Sequence, residues 1–190
     1  MTEILLSLLS AALINNLVLH WPLGVDPLLA AKGRSQVHAL GLATACLMLC
    51  VGSVGYLIDQ WLLVPAGLAS MRLLLWLPLS VLLIRPVLGL LKHWLPMLSL
   101  AGLWPLLLGN VGILGVTLLN SREATGLGHA MSLSLGGGLG FWLVLSLFED
   151  LRQRIHDNDI PMPLRGLPIQ LISAGLMAVA FLGLRGLVKT

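Results

Sequence analysis

Charge is what this sequence lacks most. Only 10% of its 190 residues are Asp, Glu, Lys or Arg, whereas 57% are hydrophobic. The mean hydropathy is +0.96. A soluble domain carries about 25% charged residues, so this chain has too little polar surface to face water on every side. Cysteine is nearly absent as well. Cys46 and Cys50 lie four residues apart in one apolar segment and share a helical face. A metal centre would need further soft ligands, and none lies near them in sequence, so they read as small packing residues. A basic, cleavable leader is not expected, because Met1-Thr2-Glu3 is acidic and the apolar run continues past any cleavage site. Short alternating apolar segments are missing too, which argues for helices rather than a membrane barrel. The net charge of +3 does not point to nucleic acid. The basic residues are scattered singly between apolar segments, as in cationic loops beside a membrane.

What remains is a chain of apolar segments. One membrane span needs roughly 20 apolar residues, so six would take about 120 and leave only short loops. Charges and turn residues mark six segments, at about Ile4 to Val25, Ala39 to Ile58, Arg72 to Leu91, Trp94 to Leu119, Ala130 to Phe148, and Leu167 to Leu184. The pattern predicts an all-α integral membrane protein of six transmembrane helices in a single membrane domain, 1–190. The loops after segments one, three and five hold Lys32, Arg34, Arg85, Lys92, Arg152, Arg154 and Arg165. The opposite side holds Arg72, Arg122, Arg185 and Lys189. The positive-inside rule then places the richer loops in the cytoplasm and both termini outside.

Two of the segments are irregular. Segment one carries Asn15-Asn16 at mid-depth, followed by Pro22, Gly24 and Pro27. Segment four carries Pro105, Gly109-Asn110 and Gly112. Proline and glycine weaken a helix, and intramembrane asparagine is costly unless paired. These are the first segments of two halves, about 1–92 and 93–190. Three spans per half force opposite orientations, so an inverted 3+3 repeat with interrupted first and fourth helices is expected. Interruptions at matching places point to a site near the midplane. The plainer alternative is that the asparagines glue helices together and the prolines kink them.

At these segments the sequence resembles a known family. The residues are Ile14-Asn15-Asn16-Leu17-Val18-Leu19 and Leu23-Gly24-Val25-Asp26-Pro27, with Leu57-Ile58-Asp59 and Pro105-Leu106 further on. Asn110, Leu114-Gly115-Val116 and Leu118-Leu119-Asn120 follow, then Asp159-Ile160-Pro161 and Ser173-Ala174-Gly175-Leu176-Met177. They resemble the membrane subunits shared by the Rnf ion-translocating electron-transport complex and the sodium-pumping NADH:quinone oxidoreductase. The likeness covers the whole chain, and the tail Gly186-Leu187-Val188-Lys189 favours the A-type over the E-type subunits of Rnf. The resemblance implies an inner-membrane subunit that is not an enzyme alone. Its partners would be a homologous E-type subunit of inverted topology and the B, C, D and G subunits. It also implies a [2Fe-2S] cluster shared by the A–E pair, with electron transfer coupled to ion movement.

The chain departs from the family where the cluster would be held. The family reads Gly-Leu-Cys-Pro where this chain has Gly24-Val25-Asp26-Pro27, and Thr-Asn-Cys where it has Gly109-Asn110-Val111. A carboxylate can ligate iron, but valine cannot, and such clusters normally take four thiolates. No cofactor held by this chain alone is therefore expected. In segment three the family's glutamine and glutamate are replaced by Arg85 and Leu88.

Four features carry open alternatives. Asp26 reads as a cluster ligand, an ion site or a partner for Arg85, or else as a solvated residue just past segment one. Arg85 lies on an ion pathway or snorkels toward Lys92. The run Gly136-Gly137-Gly138-Leu139-Gly140 reads as a close helix contact rather than a phosphate cradle. The polar stretch from Glu149 to Arg165 reads as a solvated loop. The function expected is that of an A-type Rnf subunit. The rivals are a small inverted-repeat secondary transporter and a cluster-less scaffold subunit of the same complex.

Overall fold

A computed structural model of the chain describes residues 2–14, 16, 19, 21, 23–31, 33–98, 100–155 and 160–185. Helices dominate these residues, and no strand occurs among them. Helix α1 (Thr2–Leu9) runs on as a π-helical turn, Ser10–Ile14. After an interruption comes the short α2 (Val25–Ala30). Helix α3 (Arg34–Ile58) is extended by a second π-helical turn, Asp59–Leu63. Helix α4 is Arg72–Trp94. Helices α5 (Leu103–Leu108) and α6 (Val111–Glu123) follow one another across a two-residue break. Helix α7 is Leu127–Arg154, and α8 is Leu167–Arg185.

Four stretches are long and apolar enough to cross a membrane: Arg34–Leu63, Ala69–Trp94, Leu103–Glu123 and Leu127–Arg154. Ile4–Leu13 and Leu167–Gly183 are shorter apolar helices. The chain is thus a multi-pass helical membrane protein. Boundaries differ from the sequence reading in an instructive way. The second segment begins at Arg34 rather than Ala39, because a helix can carry charged residues beyond the apolar core as far as its caps allow. The fourth begins at Leu103, not Trp94. Trp94 closes α4, since Leu95 precedes Pro96 and adopts φ −132°, ψ 68°, away from the helical region that a following proline disfavours. Gly102, at φ 76°, then starts α5.

Helices α3 and α7 form the centre. Most of the apolar stretch of each is buried, whereas most of α4 is uncovered. Their packing is set by small residues. A Cβ on Gly138 of α7 would stand 2.5 Å from the Ala45 Cα of α3, and one on Gly136 would stand 2.5 Å from the Leu8 carbonyl oxygen. The glycine run is therefore a contact surface that lets α7 lie against both α3 and the first helix, as small residues permit in membranes. Leu40, Leu47, Met48 and Val51 of α3, Ile113 and Val116 of α6, and Phe141, Val144 and Phe148 of α7 fill the core between them. Helix α4 packs on α3 from outside and leaves much of its own surface uncovered.

Two acidic residues are buried. Asp59, read as the end of segment two, is fully buried in the π-helical turn. Arg72 at the start of α4 grips it side-on, with Nε 2.7 Å from Oδ1 and Nη2 3.1 Å from Oδ2. Glu149, read as part of a solvated loop, lies in the last two turns of α7 and is buried. Its Oε1 accepts hydrogen bonds from the Gly33 amide (3.0 Å) and from Gln153 Nε2 (3.1 Å), and Oε2 accepts one from Arg152. It thereby ties the end of α7 to the entry of α3. Beside it, the exposed Arg34 and Asp150 pair at 3.2 Å. Polarity does not force a residue into solvent where a partner and a free backbone donor are available. Asp157 and Asp159 lie outside the described residues.

Candidate functional site

The site grows from the two helix interruptions. In the second, Pro105 cannot donate a backbone bond and Gly109 ends α5. Asn110 then starts α6 as a side-chain cap, its Oδ1 accepting from the Gly112 amide at 3.0 Å. Asparagine suits that position because its carbonyl satisfies one of the amides left free at a helix start. In the first interruption, Gly24 starts α2 with φ 86°. An L side chain seldom adopts that conformation.

These two breaks meet. A Cβ on Gly24 would fall 2.9 Å from Asn110 Oδ1 and 3.1 Å from Phe141 Cε2. One on Gly112 would lie 3.0 Å from Asn110 Oδ1, 3.1 Å from Met48 Cε and 3.7 Å from the Leu23 carbonyl oxygen. One on Gly115 would come within 2.5 Å of Leu23 Cδ1. The short helices α2 and α5 touch as well. Asn110 is 3% exposed, and its Nδ2 makes a long 3.5 Å contact with Thr44 Oγ1 of α3. Asn16, 2% exposed, donates from Nδ2 to the Ala12 carbonyl at 2.9 Å. A Cβ on Gly140 would fall 2.7 Å from that same Nδ2. Polar groups at the breaks are thus held by backbone and helix contacts rather than by lipid, as irregular backbone at membrane depth requires.

The sequence-predicted residues divide into three groups. Asn110 and Asn16 are buried at the breaks. Asp26 and Val111, each within the first two residues of the helix that follows its break, are exposed on the surface of the chain. Arg85 is exposed on α4 and makes no ion pair with Asp26 among the described residues. Asn15 lies outside the described residues. Cys46 and Cys50 are both free and partly buried. They follow Thr44 and Met48 by two residues each, a turn of about 200°, so they point away from the break that those two residues face.

The donor set at the interruptions does not fit a four-thiolate cluster. Val111 has no donor atom, Asp26 offers only carboxylate oxygen, and both cysteines sit on another face. No group of three or more His, Cys, Asp or Glu side chains comes together among the described residues.

Sequence reasoning missed a second buried network on the same helices. Asn120 of α6 donates from Nδ2 to Ser134 Oγ at 2.8 Å and to the Gly52 carbonyl at 3.3 Å, and Ser134 Oγ donates to the Ala130 carbonyl at 2.7 Å. The signal was present. An asparagine three residues from the charged end of an apolar segment is a polar group that needs a partner inside the bundle.

Four apolar stretches long enough to cross a membrane, together with interrupted helices that meet inside the bundle, define a class: multi-pass helical membrane proteins with discontinuous helices. Residues 4–188 match the family described as "Rnf-Nqr subunit, membrane protein". The chain belongs to the Rnf-Nqr family of membrane subunits. It is 35% identical over 192 residues to the A-type subunit of the ion-translocating oxidoreductase complex of Aeromonas salmonicida, covering all of both chains. The proteins of the same description from Thioalkalivibrio sulfidiphilus and Pasteurella multocida are 36% and 37% identical, again over the full length of both chains.

Proposed function

We propose that this chain is the A-type membrane subunit of an ion-translocating electron-transfer complex of the Rnf kind. The observation that carries this reading is identity of 35–37% to proteins named as that subunit, over the whole of both chains. On this reading the chain is not an enzyme alone. It works with a homologous E-type subunit of inverted topology and with the B, C, D and G subunits, in a bacterial inner membrane with both termini periplasmic. The fold would be six spans in inverted halves, about 1–92 and 93–190, with Ile4–Leu13 and Leu167–Gly183 in the first and sixth places. Support for the halves comes from the matching interruptions at Gly24 and Asn110 and from their contact.

Asp26 and Val111 then stand at the family's two cluster-ligand places, with Asn110 beside them. Asn15, Asn16 and Arg85 stand at helix-break or ion-path positions. Because the donors present do not suit a four-thiolate [2Fe-2S] cluster, this chain's own contribution is structural. Asn110 caps α6, Gly24 lets α2 approach, and Thr44 and Phe141 close the break from α3 and α7. Val111 at a ligand place favours a second version of the same reading, a scaffold subunit that holds the complex without a cluster.

Purification tests both. The proposal requires the other subunits to come out with this chain in mild detergent; a stable homo-oligomer without them would instead mark a separate transporter. Iron and sulfide analysis with electron paramagnetic resonance of the A–E pair then separates carrier from scaffold. Reporter fusions at Thr190 should behave as periplasmic and those near Gln153 as cytoplasmic. The reverse pattern would overturn the orientation.

A further inference from the structure

We propose that the outer face of α4 and the turn that follows it form a binding site for an anionic phospholipid. The groove there has a volume of about 410 Å³ and is lined by Leu88, Gly89, Lys92, Pro96, Leu98, Leu100 and Ala101. Gly89 has no atom within 4 Å of where a Cβ would sit, so the groove floor is open beside the helix. The walls are apolar, and the polar element is a lysine.

Charge decides the occupant. From Gln60 to Ser121 the sequence contains no Asp or Glu, yet it holds Arg72, Arg85 and Lys92. Arg72 is taken by Asp59. Arg85 and Lys92 are exposed and have no hydrogen-bond or ion-pair partner among the described residues. They lie seven residues apart on α4, which puts them on one face with Arg85 about 10 Å deeper. Trp94, 75% exposed, marks the interfacial level at the end of the helix, where indole rings settle. Lys92 therefore lies near the headgroups. Arg85 can cover most of that depth by laying its methylene stem along the helix, and the Lys92 stem, tilted toward the helix N-terminus, comes down to meet it. An unpaired cation facing hydrocarbon is costly, and a lipid phosphate at this level satisfies both cations at once. The acyl chains would lie against Leu88, Leu98 and Leu100. Basic pockets beside membrane helices take anionic headgroups for this reason.

The test is lipid binding to the complete chain in mild detergent, read by native mass spectrometry. Phosphatidylglycerol and phosphatidylcholine with identical acyl chains are the probes. At about 1 kcal/mol per basic residue near the surface, two cations give phosphatidylglycerol about a thirtyfold preference. Arg85→Gln with Lys92→Gln should abolish that preference, whereas Arg85→Lys and Lys92→Arg should keep most of it. Should the double variant fail to fold, Lys92→Gln alone, at the helix end, should reduce the preference about fivefold. A photoactivatable phosphatidylglycerol should label residues 88–101 of the wild-type chain in membranes. Equal binding of the two lipids, an unchanged preference in the glutamine variants, or labelling confined to other segments would each overturn the proposal. So would cross-linking of Arg85 to an acidic residue on a helix of another subunit.

Discussion

Gly24 and Asn110 are in contact: a Cβ on the glycine would stand 2.9 Å from the asparagine's Oδ1. The start of one short helix is thereby fitted against the capping residue of another. Gly24→Ala faces two obstacles, the left-handed φ of 86° and the approach to Asn110 and Phe141. Together these should destabilise the protein by about 2–4 kcal/mol. Thermal unfolding in detergent would register the loss. A melting temperature equal to wild type would show that the two breaks do not pack as described.

Asn110 itself should be replaceable only by another capping residue. Asn110→Ala removes the bond to the Gly112 amide and should cost about 1–2 kcal/mol, whereas Asn110→Ser should recover much of it. Hydrogen exchange at the first turn of α6 distinguishes a lost cap from general destabilisation. Equal behaviour of the two variants would deny the cap its role.

The Asp59–Arg72 pair offers a sharper test, because Asp59 is wholly buried and Arg72 is partly open to its surroundings. Removing the arginine, as Arg72→Leu, strands a buried carboxylate and should cost about 3 kcal/mol or more. Replacing both, as Asp59→Leu with Arg72→Leu, should recover most of that loss. If the double variant were no better than the single one, the pair would not be the source of the effect.

Glycines on the two sides of the bundle should respond in opposite ways. Gly138→Ala must push a methyl to within 2.5 Å of the Ala45 Cα, which is backbone and cannot swing aside. Folded yield should fall severely. Gly175→Ala on α8 meets nothing within 4 Å and should be neutral, or stabilising by about 0.5–1 kcal/mol through helix propensity. The comparison needs only expression and a melting curve for each.

Asp26→Cys with Val111→Cys would restore thiolates at the family's ligand places. In the purified A–E pair this double variant should acquire a [2Fe-2S] resonance that the wild-type pair lacks. Stoichiometric iron and sulfide in the wild-type pair would instead make Asp26 a ligand.

The membrane class, the main apolar segments and the two weak points in them could be read from the sequence, because each depends on local properties. Scarcity of charge rules out a water-facing surface, and proline, glycine and asparagine interrupt a helix wherever the helix happens to sit. The glycine run of α7 was legible as a contact surface for the same reason, but not what it would touch. Contacts between distant segments have no local signature. The meeting of Gly24 with Asn110, the burial of Asp59 under Arg72, and the use of Glu149 to receive the Gly33 amide all arise only when packing of the helices brings those segments together. A carboxylate in the sequence looks solvent-bound, and only the tertiary structure decides whether a partner sits close enough to keep it inside.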